Sequence, residues 1–177
     1  MNTDGNVSSP QDPNRNAWVA RQLCQTFQQA GVAAAFLCPG NRNVPLLFSL
    51  QQTFNDAHYT HIDERSAAFM ALGLAKQKQK PVIVNMTSGS ALANVLPALC
   101  EAYAANIPLI ILSADRPDYL HNSGAPQCMQ QQHIFKDFVA HSLHFDFTNA
   151  DVGTLHLALM QINNALESCF AACPAPI

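Results

Sequence analysis

Five short segments carry most of the polar chemistry of this chain. They are Pro39-Gly40-Asn41-Arg42, Asp63-Glu64-Arg65, Thr87-Ser88-Gly89-Ser90, Asp115-Arg116-Pro117 and the loop around Gln127. Glu64 is one of only three glutamates, so a carboxylate at the start of an Ala-rich helix stands out. Two readings of it remain open. A helix-start carboxylate is favoured by the macrodipole and pairs with a nearby arginine. Alternatively, a carboxylate sheltered from water meets a heteroaromatic nitrogen of a ligand. Arg42 and Arg116 belong to a set of only nine Lys and Arg. From separate turns, two guanidinium groups can fork onto the carboxylates of an anion; a salt bridge from Arg116 to Asp115 or Asp118 is the plainer alternative. Ser88 and Gly89 open a helix, where free N–H groups bind an anion or cap themselves. The Gly-Lys-Ser/Thr end of a phosphate loop is missing. The seven His show no metal-ligand spacing, the six Cys form no CxxC pair, and no GxSxG is present. No metal site is expected.

The elements that would position these segments alternate. Apolar spacing predicts helices over 16–30, 44–52, 64–78, 91–105 and 152–170, the last capped by Asp151. Pro97 should kink the fourth. Uniformly apolar runs predict strands over 32–38, 81–86 and 108–114, with a shorter one over 58–62. Beyond Pro117 a long polar loop, a short helix near 134–139 and an alternating strand over 142–147 are expected. Helices between such strands imply an α/β fold: a parallel sheet with helices on both faces. Ligands of such sheets gather at the C-terminal strand ends, and the first four segments all follow strands.

Composition narrows the function classes. The 177 residues are 49% hydrophobic and only 12% charged, with a net charge of −3. No basic stripe suits a nucleic acid, and no apolar run approaches the roughly 20 residues of a bilayer span. Residues 1–14 are polar and read as a disordered leader before a domain over 15–177; reduced cysteines and a cytoplasmic location are expected. The sparse charge also leaves surface suited to packing against another chain.

The segments Cys38-Pro39-Gly40-Asn41-Arg42-Asn43, His61-Ile62-Asp63-Glu64-Arg65-Ser66-Ala67, Leu72-Gly73-Leu74-Ala75-Lys76, Thr87-Ser88-Gly89-Ser90-Ala91-Leu92-Ala93-Asn94 and Ser113-Ala114-Asp115-Arg116-Pro117 form an ordered set. It resembles the pyrimidine-binding N-terminal domain of thiamine-diphosphate enzymes. Within them it is most similar to menaquinone-pathway synthases, which join a decarboxylated 2-oxoglutarate unit to isochorismate. The resemblance implies that Glu64 hydrogen-bonds N1′ of the aminopyrimidine and that Pro39, Gly40, Ser88 and Gly89 contact the cofactor. It implies that Asn41, Arg42, Arg116 and Gln127 hold substrate carboxylates. Asn43 and Pro126 depart from the family pattern, which has Ser or Thr and Asn there, so the substrate is less firmly indicated than the cofactor. Mg²⁺ and the diphosphate would be held by a further domain whose Gly-Asp-Gly…Asn motif this sequence lacks. The expected partner is therefore that domain, on this or another subunit, or a second copy of the chain. A fragment, a truncated product, the small subunit of a split 2-oxo acid decarboxylase and a non-catalytic interaction module are the alternatives.

Overall fold

The computed structural model describes residues 15–121, 123–148, 151–171 and 174–177; the leader over 1–14 and Cys173 lie outside them. Four parallel strands, β1 (Ala34–Leu37), β2 (His58–Thr60), β3 (Val82–Met86) and β4 (Leu109–Ser113), form one sheet in the order β2-β1-β3-β4. β1 and β3 are wholly buried because side chains leave them alternately to two apolar layers. Ala35, Leu37, Ile83 and Ile110 face one layer, built on α1 (Arg15–Gln29), α2 (Val44–Thr53) and α6 (Val152–Cys169). Phe36, Val84, Met86 and Leu109 face the other, built on α3 (Glu64–Lys78), α4 (Ser90–Asn94) and α5 (Leu96–Ala104). Ala67, Ala68, Ala71 and Ala75 form the buried stripe of α3, so small side chains bring that helix close to the sheet.

The local signals are the expected ones in most places. Asp63 and Asp151 cap α3 and α6 by accepting from the N–H groups of Ser66 and Thr154. The helix expected over 91–105 is interrupted at Val95, because Pro97 offers no N–H and its ring crowds the preceding turn. Two expectations fail. Residues 134–139 form successive tight turns, Ile134 N to Gln131 O and Lys136 N to His133 O among them, rather than a helix. Ser142–Phe147 alternates in sequence but forms no strand: among the described residues its backbone makes no ladder with another segment. Phe145 and Phe147 still stack, with ring centroids 5.8 Å apart, against the α1/α6 layer.

Candidate functional site

Because all four strands are parallel, their C-terminal ends share one rim, and the sequence-selected segments occupy it in the spatial order Asp63-Glu64, Pro39–Asn43, Thr87–Gly89, Asp115-Arg116. The connection from β1 runs through α2 in one layer and the connection into β3 through α3 in the other. The chain thus reverses its winding between β1 and β3, the place where open α/β sheets leave a crevice.

Arg42 bridges that crevice. Its Nη1 donates to Ser88 Oγ at 2.7 Å and to Gln127 Oε1 at 3.1 Å. Arg116 approaches from β4, with Nε and Nη2 donating to the Pro126 carbonyl at 3.2 and 2.7 Å; Arg42 Nη2 reaches the same oxygen at 3.5 Å. Partial desolvation, then the neighbouring Arg116 charge, lowers the Arg42 pKa from its ordinary value. Two cations that converge on one carbonyl oxygen form a place prepared for negative charge. The plainer alternative, an ion pair from Arg116 to Asp115 or Asp118, is not made: Asp115 accepts from the Arg116 backbone N–H at 2.6 Å, and the guanidinium goes to Pro126.

The crevice is held by Asn43, which the sequence reading noted only as a departure from the family pattern, and by Asn85 and Gln131, which it passed over. Asn43 is fully buried; its Nδ2 donates to Cys38 O at 3.0 Å and to Asn85 Oδ1 at 2.8 Å, and Asn85 Nδ2 donates to Leu112 O at 2.9 Å. One amide pair thus ties the β1–α2 turn to β3 and β4. Gln131 does the same on the far side: it accepts from Gly89 N–H at 2.6 Å and donates to Ala114 O at 3.0 Å. Gly89 N–H is therefore already engaged within the chain. Ser88 Oγ donates to Gln127 O at 2.9 Å, and Gln127 itself has φ +55°. Gln131 sits in a Gln-rich stretch and gives no sequence signal. Asn85, a polar residue in the middle of an apolar strand, does.

Gly40 and Thr87 bring the two central turns together. A Cβ on Gly40 would lie 2.5 Å from Thr87 Cβ, so only glycine allows this approach. Thr87 Oγ1 is buried without a hydrogen-bond partner. Pro39 and Asn41 stand exposed at the mouth of the turn.

Glu64 lies at the other end of the rim. It is half-exposed rather than buried, and Oε2 accepts from Asn94 Nδ2 at 3.0 Å, a bond between α3 and α4 rather than an arginine pair. The Cys38 thiol nearby is pushed up to about 12, by burial first and then by the charges of Glu64 and Asp63, so it is not a nucleophile.

The donor set can be compared with the cofactor that the resemblance implies. A half-exposed carboxylate at a helix start suits an aminopyrimidine nitrogen. The diphosphate and metal end finds no counterpart: among the described residues no group of three or more His, Cys, Asp or Glu is arranged to hold a metal ion, and Gly89 N–H is taken. Among the described residues no helix is long and apolar enough to cross a membrane.

A doubly wound α/β domain with its polar rim at the winding reversal is a small-molecule-binding domain by architecture. The chain belongs to the family described as thiamine pyrophosphate enzyme, N-terminal TPP binding domain, which it matches over residues 17–134. It is 40% identical over 146 residues to the 2-succinyl-5-enolpyruvyl-6-hydroxy-3-cyclohexene-1-carboxylate synthase of Bacillus cytotoxicus, an alignment that takes in 82% of this chain and 25% of that one. The synthase of the same name from Lysinibacillus sphaericus is 41% identical, over 88% of this chain and 27% of its own. The chain thus spans about a quarter of the length of the curated relatives it matches. A crystal structure described as that of a thiamin diphosphate-dependent enzyme from Mycobacterium smegmatis superposes with a TM-score of 0.73 at 23% identity, covering 89% of this chain and 29% of that one, and shows the same fold.

Proposed function

We propose that this chain supplies the pyrimidine-binding part of a thiamine-diphosphate-dependent carboligase that joins a decarboxylated 2-oxoglutarate unit to isochorismate in menaquinone biosynthesis. The observation that carries the reading is the convergence of Arg42 and Arg116 on the Pro126 carbonyl, beside Gln127 and Ser88. Both substrates are anions with more than one carboxylate, and two guanidinium groups at one rim suit them. When bound, the cofactor supplies an electron sink for decarboxylation and carbon–carbon bond formation. Glu64 would share a proton with the pyrimidine N1′ and so make the amino group beside it basic. Asn94 holds one carboxylate oxygen and directs the other toward the ligand. Arg42 and Arg116 would orient substrate carboxylates, with the Pro126 carbonyl yielding its place to them. Mg²⁺ and the diphosphate would be bound by a further domain or subunit, in a cytoplasmic enzyme.

Self-association belongs to the same reading. The outer faces of α3 and α4 carry Phe69, Met70, Gly73 and Ala93, with Glu64 and Arg65 at the start of α3 its only charges before Lys76, and Ile62 is 91% exposed beside them. A face of this kind suits a two-fold contact between copies. Light scattering at micromolar concentration should then show a species heavier than 19.2 kDa.

The test of the activity is a chimera in which this chain replaces the matching quarter of the Bacillus cytotoxicus synthase. It is expected to be active, and Glu64→Gln in it should lower turnover by roughly two to four orders of magnitude. An active chimera indifferent to Glu64→Gln would remove Glu64 from the mechanism. An inactive, folded chimera that still binds the cofactor would remove the substrate assignment. By calorimetry the chain alone should bind thiamine diphosphate weakly, since its described residues hold no carboxylate set for the metal.

A further inference from the structure

Between Leu120 and Gln131 the chain forms a surface loop with a closed neck. Leu120 O accepts from Ser123 Oγ at 2.6 Å and from Cys128 Sγ at 3.5 Å. Gln131 is buried and fixed to Gly89 and Ala114. The tip between these anchors is less settled. Gly124 and Gln127 take positive φ, +75° and +55°, and Pro126 and Gln127 are exposed. A non-glycine residue at positive φ is strained and persists only where its surroundings hold it.

Two cations do most of the holding. Nε and Nη2 of Arg116 both donate to the Pro126 carbonyl, at 3.2 and 2.7 Å. Arg42 reaches the same oxygen and Gln127 Oε1. The Nε–Nη2 edge of a guanidinium carries two parallel N–H groups, spaced for the two oxygens of a carboxylate. Here both fall on one neutral oxygen. A carboxylate offers that edge a second acceptor and a full charge, and charge-assisted bonds are about twice as strong as neutral ones.

We propose that Gly124–Gln127 is an autoinhibitory strap: the Pro126 carbonyl occupies the seat between Arg116 and Arg42, and a carboxylate ligand binds by displacing it and freeing the loop. This rests on the reading that the two arginines seat carboxylates, and adds that the chain itself competes for the seat. The apparent affinity is then the intrinsic affinity reduced by the fraction of molecules with the strap off. Pro126 sets that fraction. Its ring fixes φ and keeps Ala125 out of helical backbone, so the strap gains little freedom when released. Release is confined to the tip, because the bonds at Leu120 and Gln131 do not involve the two guanidinium groups.

The test uses the full chain with succinate as the probe and sodium chloride at equal ionic strength as the control. Pro126→Ala gives the released loop more freedom and should tighten succinate binding roughly two- to fivefold by calorimetry. In the free chain the Gln127 amide should show an NMR order parameter near the rigid value of about 0.85, and saturating succinate should lower it below about 0.6. Arg116→Ala should lower it in the same way with no ligand present, because the strap loses its main tie. A loop that instead closes on its ligand gives the opposite signs. Arg-dependent succinate binding with an unchanged or raised order parameter, or with unchanged or weaker affinity in Pro126→Ala, would overturn the strap and leave the carboxylate seat standing. A rigid Gln127 in Arg116→Ala would also overturn it, without reference to any ligand. Succinate bound by neither the parent nor Pro126→Ala, or bound equally after Arg42→Ala and Arg116→Ala together, would remove the seat itself and the strap with it.

Discussion

Replacing Asn85 by leucine isolates the amide pair that holds the crevice. Leucine keeps the branching and heavy-atom count of asparagine, so the fully buried site loses hydrogen bonds without gaining a cavity. Asn43 Nδ2 would keep Cys38 O and lose its 2.8 Å bond to Asn85 Oδ1; Leu112 O would lose a donor at 2.9 Å. Asn43 Oδ1 is already buried without a partner, so this residue has no spare contact to fall back on. A stranded buried N–H costs about 1–3 kcal/mol, and a lost bond to a carbonyl that keeps other contacts about 0.5–1.5 kcal/mol. The sum is about 1.5–4.5 kcal/mol, or roughly 3–18 °C in Tm for a chain of this size. Urea unfolding followed by circular dichroism measures it. A double-mutant cycle with Asn43→Ala should give a coupling of about 1–2 kcal/mol, since the two side chains share a bond. A loss below about 0.5 kcal/mol in Asn85→Leu, or additive single effects, would refute the reasoning and reduce the pair to filler.

Gly89→Ala should cost about 1–3 kcal/mol, because φ is +81° and the new Cβ would meet Gln127 Cα at 3.1 Å; a Tm within 1 °C of the parent would mean that the Gln127 loop yields freely. Asp63 and Asp151 are held below the usual carboxylate range by hydrogen bonds from Ser66 and Thr154. Their folded pKa values lie below the unfolded value of about 3.9, so they stabilise above that pH and the contribution is lost as pH falls through the folded pKa. Asn at both positions keeps the caps, so acid unfolding should become less steep below about pH 4 while neutral stability changes little; an unchanged acid limb would contradict this. Burial pushes the thiols of Cys24, Cys38 and Cys169 up to about 12. In the native chain at pH 8, mass spectrometry should find Cys100 and Cys128, both half-buried, alkylated first.

What could be read before the structure was what depends on short stretches of chain. Uniformly apolar runs such as Val32–Cys38 mean strands covered on both faces, Asp63 and Asp151 announce helix starts, and Pro97 announces a break; each is local physics and each is found. The rim followed as well, since parallel strands leave no other place for four turns that succeed them. Partners across the fold were not legible. Nothing near Glu64 in the chain names Asn94 as the group that meets it, and nothing near Arg116 turns it from Asp115 toward Pro126. Asn43 looked like a drifted ligand contact, yet it is a buried tie between turn and sheet, because its role is set by Asn85, 42 residues away. The alternation over 142–147 was read as a strand, and the structure forms none there. A strand exists only with a neighbour, so alternation in sequence reports a capacity to pair and not a pairing made.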